Sequence, residues 1–280
     1  PDIYRTNYDV ILKSIGRKSI TYPMFHEDTF NHDAFLETCE RVLDHSDKLV
    51  CMFNDPAHNP TGYSLSPAEW ERVYAYLNGL AETGKKVVLI YDLAYIDYDN
   101  ADPAESRRLF EVLKKVHTDM LVVIAYSGSK SFSLYGLRMG AAIALSKKQS
   151  NIIDFTNAQV FTARATWSCP PSTAIHVMNR LLSNDQSALK FRKELSEANR
   201  MLKDRASLFL KEAEEVGLKT YPYHGGFFIT IPTDDPDRSF QRLKDIRIFT
   251  IPVPKGVRLA MSSIPLGVIT GMARRIKDVI

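Results

Sequence analysis

Tyr126-Ser127-Gly128-Ser129-Lys130, followed by Gly136-Leu137-Arg138-Met139-Gly140, is the stretch on which the fold turns. The segment before it, Met120 to Tyr126, is a short apolar run rich in β-branched residues. Gly140 to Leu145 is another, so both read as buried parallel strands. Lys130 then lies in a strand-to-strand connection. In an α/β sheet such connections sit near the strand ends, where ligands bind, and a lysine desolvated there is a candidate Schiff-base nucleophile. A solvated loop lysine is the commoner case, so the reading depends on the rest of the chain.

Working outward, helix and strand signals alternate. Asn7 to Gly16 reads as a short helix stopped by glycine, Asp33 to Leu43 as an amphipathic helix, and Lys48 to Phe53 as a strand. Ser66-Pro67 opens another helix, with Ser66 as N-cap and Pro67 in the first turn. Lys86 to Tyr91 is again a strand and Pro103 to Val116 a helix, an alternation that implies a mostly parallel sheet with flanking helices. Asp185 to Val216 is a long helix ended by Gly217. Beyond it, short strands are expected at Gly226 to Ile231, Phe249 to Val253 and Val257 to Met261, with a closing helix from Pro265 to Ile280. The expected fold class is α/β: a large domain over 1–184, then the interdomain helix and a smaller C-terminal α+β lobe over 185–280.

Composition narrows the partners. The chain has 280 residues, 45% hydrophobic, with 36 basic and 33 acidic side chains and a net charge of +3. Neither sign forms a long block, so neither nucleic acid nor a membrane surface is implied. Cys39, Cys51 and Cys169 are far apart and have no ligand spacing, so no disulfide framework and no metal site is expected, and a cytoplasmic setting fits. No run approaches the roughly twenty apolar residues of a spanning helix.

Four features after predicted strands carry the chemistry. They are the turn Asn59-Pro60-Thr61-Gly62; Asp92 with Tyr95; the group Ser127, Lys130 and Arg138; and Arg258 in the apolar run Gly256-Val257-Arg258-Leu259-Ala260. Each has a plain reading as turn chemistry, a cap, a packed phenol or a surface charge. Together they match the needs of pyridoxal 5'-phosphate. That cofactor takes a lysine for covalent attachment, an acid against the pyridine nitrogen, donors at the ring oxygen, and a hydroxyl plus a guanidinium at the phosphate. An arginine amid apolar residues needs an anionic partner, which a substrate carboxylate supplies.

With these pieces and Gly225-Gly226-Phe227-Phe228, the chain resembles a class I/II aminotransferase of fold type I, a pyridoxal-phosphate-dependent enzyme. The resemblance implies Lys130 as the Schiff-base lysine and proton shuttle, and Asp92 on the pyridine nitrogen. It implies Asn59 and Tyr95 on the ring oxygen, Ser127 and Arg138 at the phosphate, and Arg258 at the substrate α-carboxylate. Ala163-Arg164-Ala165-Thr166-Trp167-Ser168-Cys169-Pro170-Pro171 is similar to a stretch of the aspartate and aromatic subgroup. There the residue matching Arg164 reaches the neighbouring subunit's site to bind a side-chain carboxylate, which implies a homodimer with shared sites. Cys169 departs from that subgroup's asparagine. Tyr4 lies near the position of an aromatic that stacks on the cofactor ring.

The resemblance also implies an upstream phosphate-binding turn and arm, so the chain is expected to be incomplete at its N-terminus. The expected reaction moves an amino group from aspartate or an aromatic amino acid to a 2-oxo acid such as 2-oxoglutarate. Two alternatives stay open. One is a carbon–sulfur β-lyase, against which Arg164 and Trp167 to Pro171 argue. The other is the sensing domain of a transcription regulator, for which no basic helix-turn-helix pattern is present.

Overall fold

The computed structural model describes residues 1–99 and 106–280. A two-stranded ribbon, β1 (Phe25–His26) with β2 (Thr29–Phe30), precedes the central sheet. That sheet runs in the order β3 (Lys48–Asn54), β4 (Lys86–Asp92), β5 (Met120–Tyr126), β6 (Ala141–Leu145). β3, β4 and β5 are parallel. The register pairs Asn54 with Asp92 and Asp92 with Ala125, so the three strands end at one level. The loops that carry Asn59, Tyr95 and Lys130 therefore leave the sheet at its carboxyl edge, where an open α/β sheet binds its ligand.

The helix Pro67–Glu82 begins where the sequence predicts, and the reason is visible. Ser66 and Glu69 form a reciprocal capping box, and Pro67 occupies the first turn. Trp70, Val73, Tyr74, Leu77 and Ala81 are buried on its inner face, in one apolar cluster with Val87, Leu89 and Tyr91 of β4. Each large side chain buried there contributes about 1.5–3 kcal/mol. The helix expected over Pro103 to Val116 begins outside the described residues; within them it spans Leu109–Leu113.

Three expectations are corrected. β6 is antiparallel to β5, with Tyr126 opposite Ala141. A parallel return needs a crossover, usually a helix, whereas residues 127–140 make only the short turns Gly128–Ser131 and Tyr135–Leu137 and stay at the strand's end. The strands are also not buried throughout. β4 alternates buried and half-buried side chains, Val50 of β3 is 54% exposed, and Ala141, Ala142 and Ile143 of β6 are exposed. Finally, the closing helix is two pieces, Leu266–Ile269 and Met272–Lys277, broken at Gly271, whose φ of 77° is left-handed and interrupts the helical ladder.

The long helix Asp185–Glu215 is capped by Asn184, and Gly217 follows it at φ 66°. Its buried residues Ala206, Phe209 and Ala213 enter a second core with Ile229, Ile231, Leu243, Val257 and Leu259. That core underlies a three-stranded antiparallel sheet in the order β7 (Phe228–Pro232), β9 (Gly256–Ala260), β8 (Ile251–Val253). Ala57, Ala94, Tyr95, Tyr98, Leu202 and Phe227 form a smaller apolar cluster where the two parts meet. Among the described residues no helix is long and apolar enough to cross a membrane.

Candidate active site

Asn54, the last residue of β3, ties two of the edge loops together. Its Oδ1 accepts the Asn59 backbone N–H at 2.8 Å, and its Nδ2 donates to the Asp92 carbonyl at 3.1 Å. Beside it, Asp55 is fully enclosed and accepts from Leu65 N–H, Trp70 Nε1 and Tyr91 Oη at 2.7–3.0 Å. Burial pushes its carboxyl up to about 7, against the pull of those three donors. Gly62 closes the turn at φ 80°, and a Cβ there would lie 2.2 Å from the Tyr223 ring. Only glycine lets this loop meet Tyr223 and the start of β7 so closely. Thr230 of β7 completes the contact by donating to the Pro60 carbonyl at 2.7 Å.

Held in this way, Asn59 faces both the loop after β4 and strand β9. Its Nδ2 donates to Tyr95 Oη at 3.1 Å, and its Oδ1 accepts from Arg258 Nη1 at 2.7 Å. The Arg258 guanidinium lies 4.2 Å from the centre of the Phe228 ring, and its Nε is buried without a partner. A buried cation with an unsatisfied donor is unfavourable by itself and suits an incoming anion. Burial lowers the Arg258 pKa, with the Tyr95 hydroxyl opposing.

Asp92 ends β4. Its Oδ1 accepts the Ala94 N–H at 3.1 Å and its Oδ2 accepts the Tyr8 hydroxyl at 2.7 Å. Burial raises its pKa, offset by these two hydrogen bonds and by the charges of Arg5 and Lys130. Lys130 sits on the short helix Gly128–Ser131 after β5, its N–H on the Ser127 carbonyl at 3.2 Å and its own carbonyl accepting from Tyr98 Oη at 3.0 Å. Its Nζ lies 5.0 Å from the Tyr135 ring centre. Burial first, then Arg5 and Arg138, make the Lys130 amine less basic than usual, while Asp92 opposes them. Arg138 adopts a left-handed conformation at φ 52° and donates to the Tyr135 carbonyl at 2.8 Å.

Asn59, Asp92, Tyr95, Lys130 and Arg258 are thus brought together from distant parts of the chain. Ser127 and Arg138 flank Lys130. Two residues stand apart. Tyr4 turns its hydroxyl to Asp9 at 2.8 Å, and Arg164 is exposed on the helix Gln149–Thr166 with Nη1 on Ser168 Oγ at 2.8 Å. Sequence reasoning missed Tyr8, Arg5, Asn54 and Asp55. Asn54 and Asp55 carried a faint signal, as polar residues at a strand's end, whereas nothing in the pattern around Tyr8 tells which loop its helix faces.

The family model for aminotransferase class I and II matches residues 1–276. The chain belongs to this family. Among aminotransferases of known structure, one from Anaerococcus prevotii superposes with a TM-score of 0.94 at 34% identity, over 99% of this chain and 68% of that one. An aromatic-amino-acid aminotransferase from Burkholderia pseudomallei, covalently bound to pyridoxal phosphate, shares the fold at a TM-score of 0.79 and 19% identity. Among curated aminotransferases, the aspartate aminotransferase of Salmonella typhi is 27% identical over 75% of this chain, and the aromatic-amino-acid aminotransferase of Pseudomonas aeruginosa is 27% identical over 64%. The chain spans about half the length of the curated relatives it matches: 51% and 42% for these two. The fold type I expectation, an α/β sheet dominated by parallel strands, is borne out by these likenesses.

Proposed function

We propose that this chain carries the active-site residues of a pyridoxal-phosphate-dependent aminotransferase that exchanges an amino group between an amino acid and a 2-oxo acid. Aspartate, an aromatic amino acid or both are the donors, and an acid such as 2-oxoglutarate is the acceptor. The observation that carries this reading is the bridging of Tyr95 and Arg258 by Asn59, beside a buried acid and a lysine of depressed basicity.

The donor set fits the cofactor. Lys130 would hold it covalently, Asp92 would face its ring nitrogen, Asn59 and Tyr95 its ring oxygen, and Ser127 and Arg138 its phosphate. When bound, pyridoxal phosphate withdraws electrons from the substrate α-carbon and so acidifies the α-proton. Arg258 clamps the α-carboxylate in a two-pronged grip, for which its free Nε is available. Lys130 Nζ, made less basic than an ordinary lysine by its burial, would accept the α-proton and return it as acid. Asp92 would supply a compensating negative charge in a partly buried place, where burial raises its pKa and the hydrogen bonds from Tyr8 and the Ala94 N–H oppose that rise.

In this reading the division near residue 184 separates a cofactor-binding lobe from the small lobe that brings Arg258. The chain works in the cytoplasm as a homodimer. The exposed Val160, Phe161 and Trp167 beside Arg164 support a self-complementary face. Lys130→Ala in the full-length protein tests the assignment, with aspartate and phenylalanine each offered together with 2-oxoglutarate. We expect turnover to be lost while the melting temperature holds; wild-type transamination by this variant would sink the reading.

A further inference from the structure

We propose that Tyr98 is the positioning residue of Lys130: its hydroxyl fixes the lysine's main chain against the loop that carries Tyr95, and so sets the reach of the amine that moves the α-proton. This inference rests on the aminotransferase reading and adds a residue to its proton-transfer step.

Tyr98 closes the short turn Ile96–Tyr98 after β4 and is 3% exposed. Each of its three polar groups serves a different segment. Its N–H donates to the Tyr95 carbonyl at 2.8 Å, its carbonyl accepts the Gly226 N–H at 2.8 Å, and its hydroxyl donates to the Lys130 carbonyl at 3.0 Å. Its ring meets Phe227 edge-on, with 4.5 Å between ring centres. Gly226, at φ 87°, makes the approach of its segment possible, because a Cβ there would lie 2.7 Å from that of Ala57.

Lys130 needs an anchor of this kind. It lies in a four-residue helix, Gly128–Ser131, and a helix that short does not hold its own geometry. Its N–H bonds to the Ser127 carbonyl and its carbonyl accepts the Ser133 N–H at 3.0 Å, so both of these bonds stay within the turn. Among the described residues, the Tyr98 hydroxyl makes the one hydrogen bond that reaches the Lys130 backbone from another element. Asn59 meanwhile holds Tyr95 Oη at 3.1 Å, so Tyr98 places the lysine on the same frame as the ring-oxygen donors. Transfer of a proton tolerates little drift in that frame, since a misplacement of about 1 Å costs roughly a hundredfold in rate.

The test uses the full-length enzyme as wild type, Tyr98→Phe and Tyr74→Phe. Tyr98→Phe keeps the ring against Phe227 and removes only the hydroxyl. Tyr74→Phe is the control, because the Tyr74 hydroxyl is buried without a partner in the core face of Pro67–Glu82. With pyridoxal phosphate bound, kcat and KM are measured for aspartate and phenylalanine, each carrying hydrogen or deuterium at the α-carbon. In cofactor-free protein, the pH profile of acylation at Lys130 is followed by peptide mass spectrometry. We expect Tyr98→Phe to lower kcat roughly tenfold to a hundredfold, with KM and the melting temperature held and the deuterium effect on kcat enlarged. The acylation rate should turn upward at a higher pH than in wild type, because a loosened turn gives the amine back to solvent and burial is the first cause of its lowered basicity. Tyr74→Phe should match wild type throughout. An unchanged kcat or an unmoved acylation profile overturns the inference. Joint losses in kcat, KM and melting temperature, or a Tyr98→Phe protein that does not fold, also overturn it, since the hydroxyl would then serve the fold at large. A wild type inactive on every donor defeats the proposed function, whereas an active wild type matched by Tyr98→Phe defeats this inference alone.

Discussion

Arg258 Nη1 meets Asn59 Oδ1 at 2.7 Å, so β9 of the three-stranded sheet and a loop of the central sheet share one hydrogen bond at the centre of the candidate site. Asn59 also donates to Tyr95, and the amide therefore sets the distance between the Arg258 guanidinium and the phenol. Removing it frees both groups at once. A hydrogen bond to a charged group is worth about 1.5–3 kcal/mol, so Asn59→Ala should raise KM for the amino donor at least tenfold. Steady-state kinetics with either donor measures this.

Tyr8→Phe removes the donor to Asp92 Oδ2 and leaves a carboxylate whose burial already raises its pKa. The carboxyl should protonate more readily and hold a ring-nitrogen proton less well. We expect cofactor affinity to fall roughly tenfold on the same energy scale, with the loss growing as pH drops. Equilibrium dialysis of pyridoxal phosphate at several pH values reads it out.

Asp55 gives the fold a pH dependence of known sign. Its carboxyl titrates near 7 in the folded chain against an ordinary 3.8, so the native state holds the proton more tightly than the unfolded one. Its contribution to stability is full below pH 3.8 and is lost as pH rises through about 7. Asp55→Asn should abolish that slope and cost about 1–3 kcal/mol at pH 5, because donors from Trp70 and Tyr91 lose their acceptor. The gap from wild type should narrow towards pH 8, as denaturant midpoints across that range would reveal.

Lys130 owes its lowered basicity to burial and then to two nearby guanidinium groups. Arg138→Gln should raise its pKa. In cofactor-free protein the rate of acylation at Lys130, followed by peptide mass spectrometry, should then turn upward at a higher pH than in wild type.

Much of the candidate site was legible because its residues follow strands that the sequence marks clearly. Asn59 and Lys130 sit past the ends of β3 and β5 and Asp92 is the last residue of β4, and the apolar runs Leu49–Phe53, Val87–Tyr91 and Met120–Tyr126 identify these strands well. Arg258 stood out as a charge inside an apolar strand. The direction of β6 was not legible, since a run such as Ala141–Leu145 looks the same whichever way it pairs. Tyr8 and Arg5 were hidden for a different reason. The helix Asn7–Ser14 has no buried residue, so no apolar stripe declares its docking face; a single phenol-to-carboxylate bond does that work. The break at Gly271 was likewise obscured by helix-forming residues on both sides.

The helix Asp185–Glu215 has a mechanical consequence. Asn199 Nδ2 fastens it to the Asp97 carbonyl near Tyr95, while Arg205 Nη1 fastens it to the carbonyls of Met261 and Ser262 just past β9. These anchors are separated by about 9 Å along the axis at 1.5 Å per residue. The rod thus ties the loop after β4 to the end of β9 over a short span. With fewer than two helical turns between the anchors, little helix is left to give, so the loop that carries Tyr95 and the strand that carries Arg258 are held at one fixed spacing by a single rigid element.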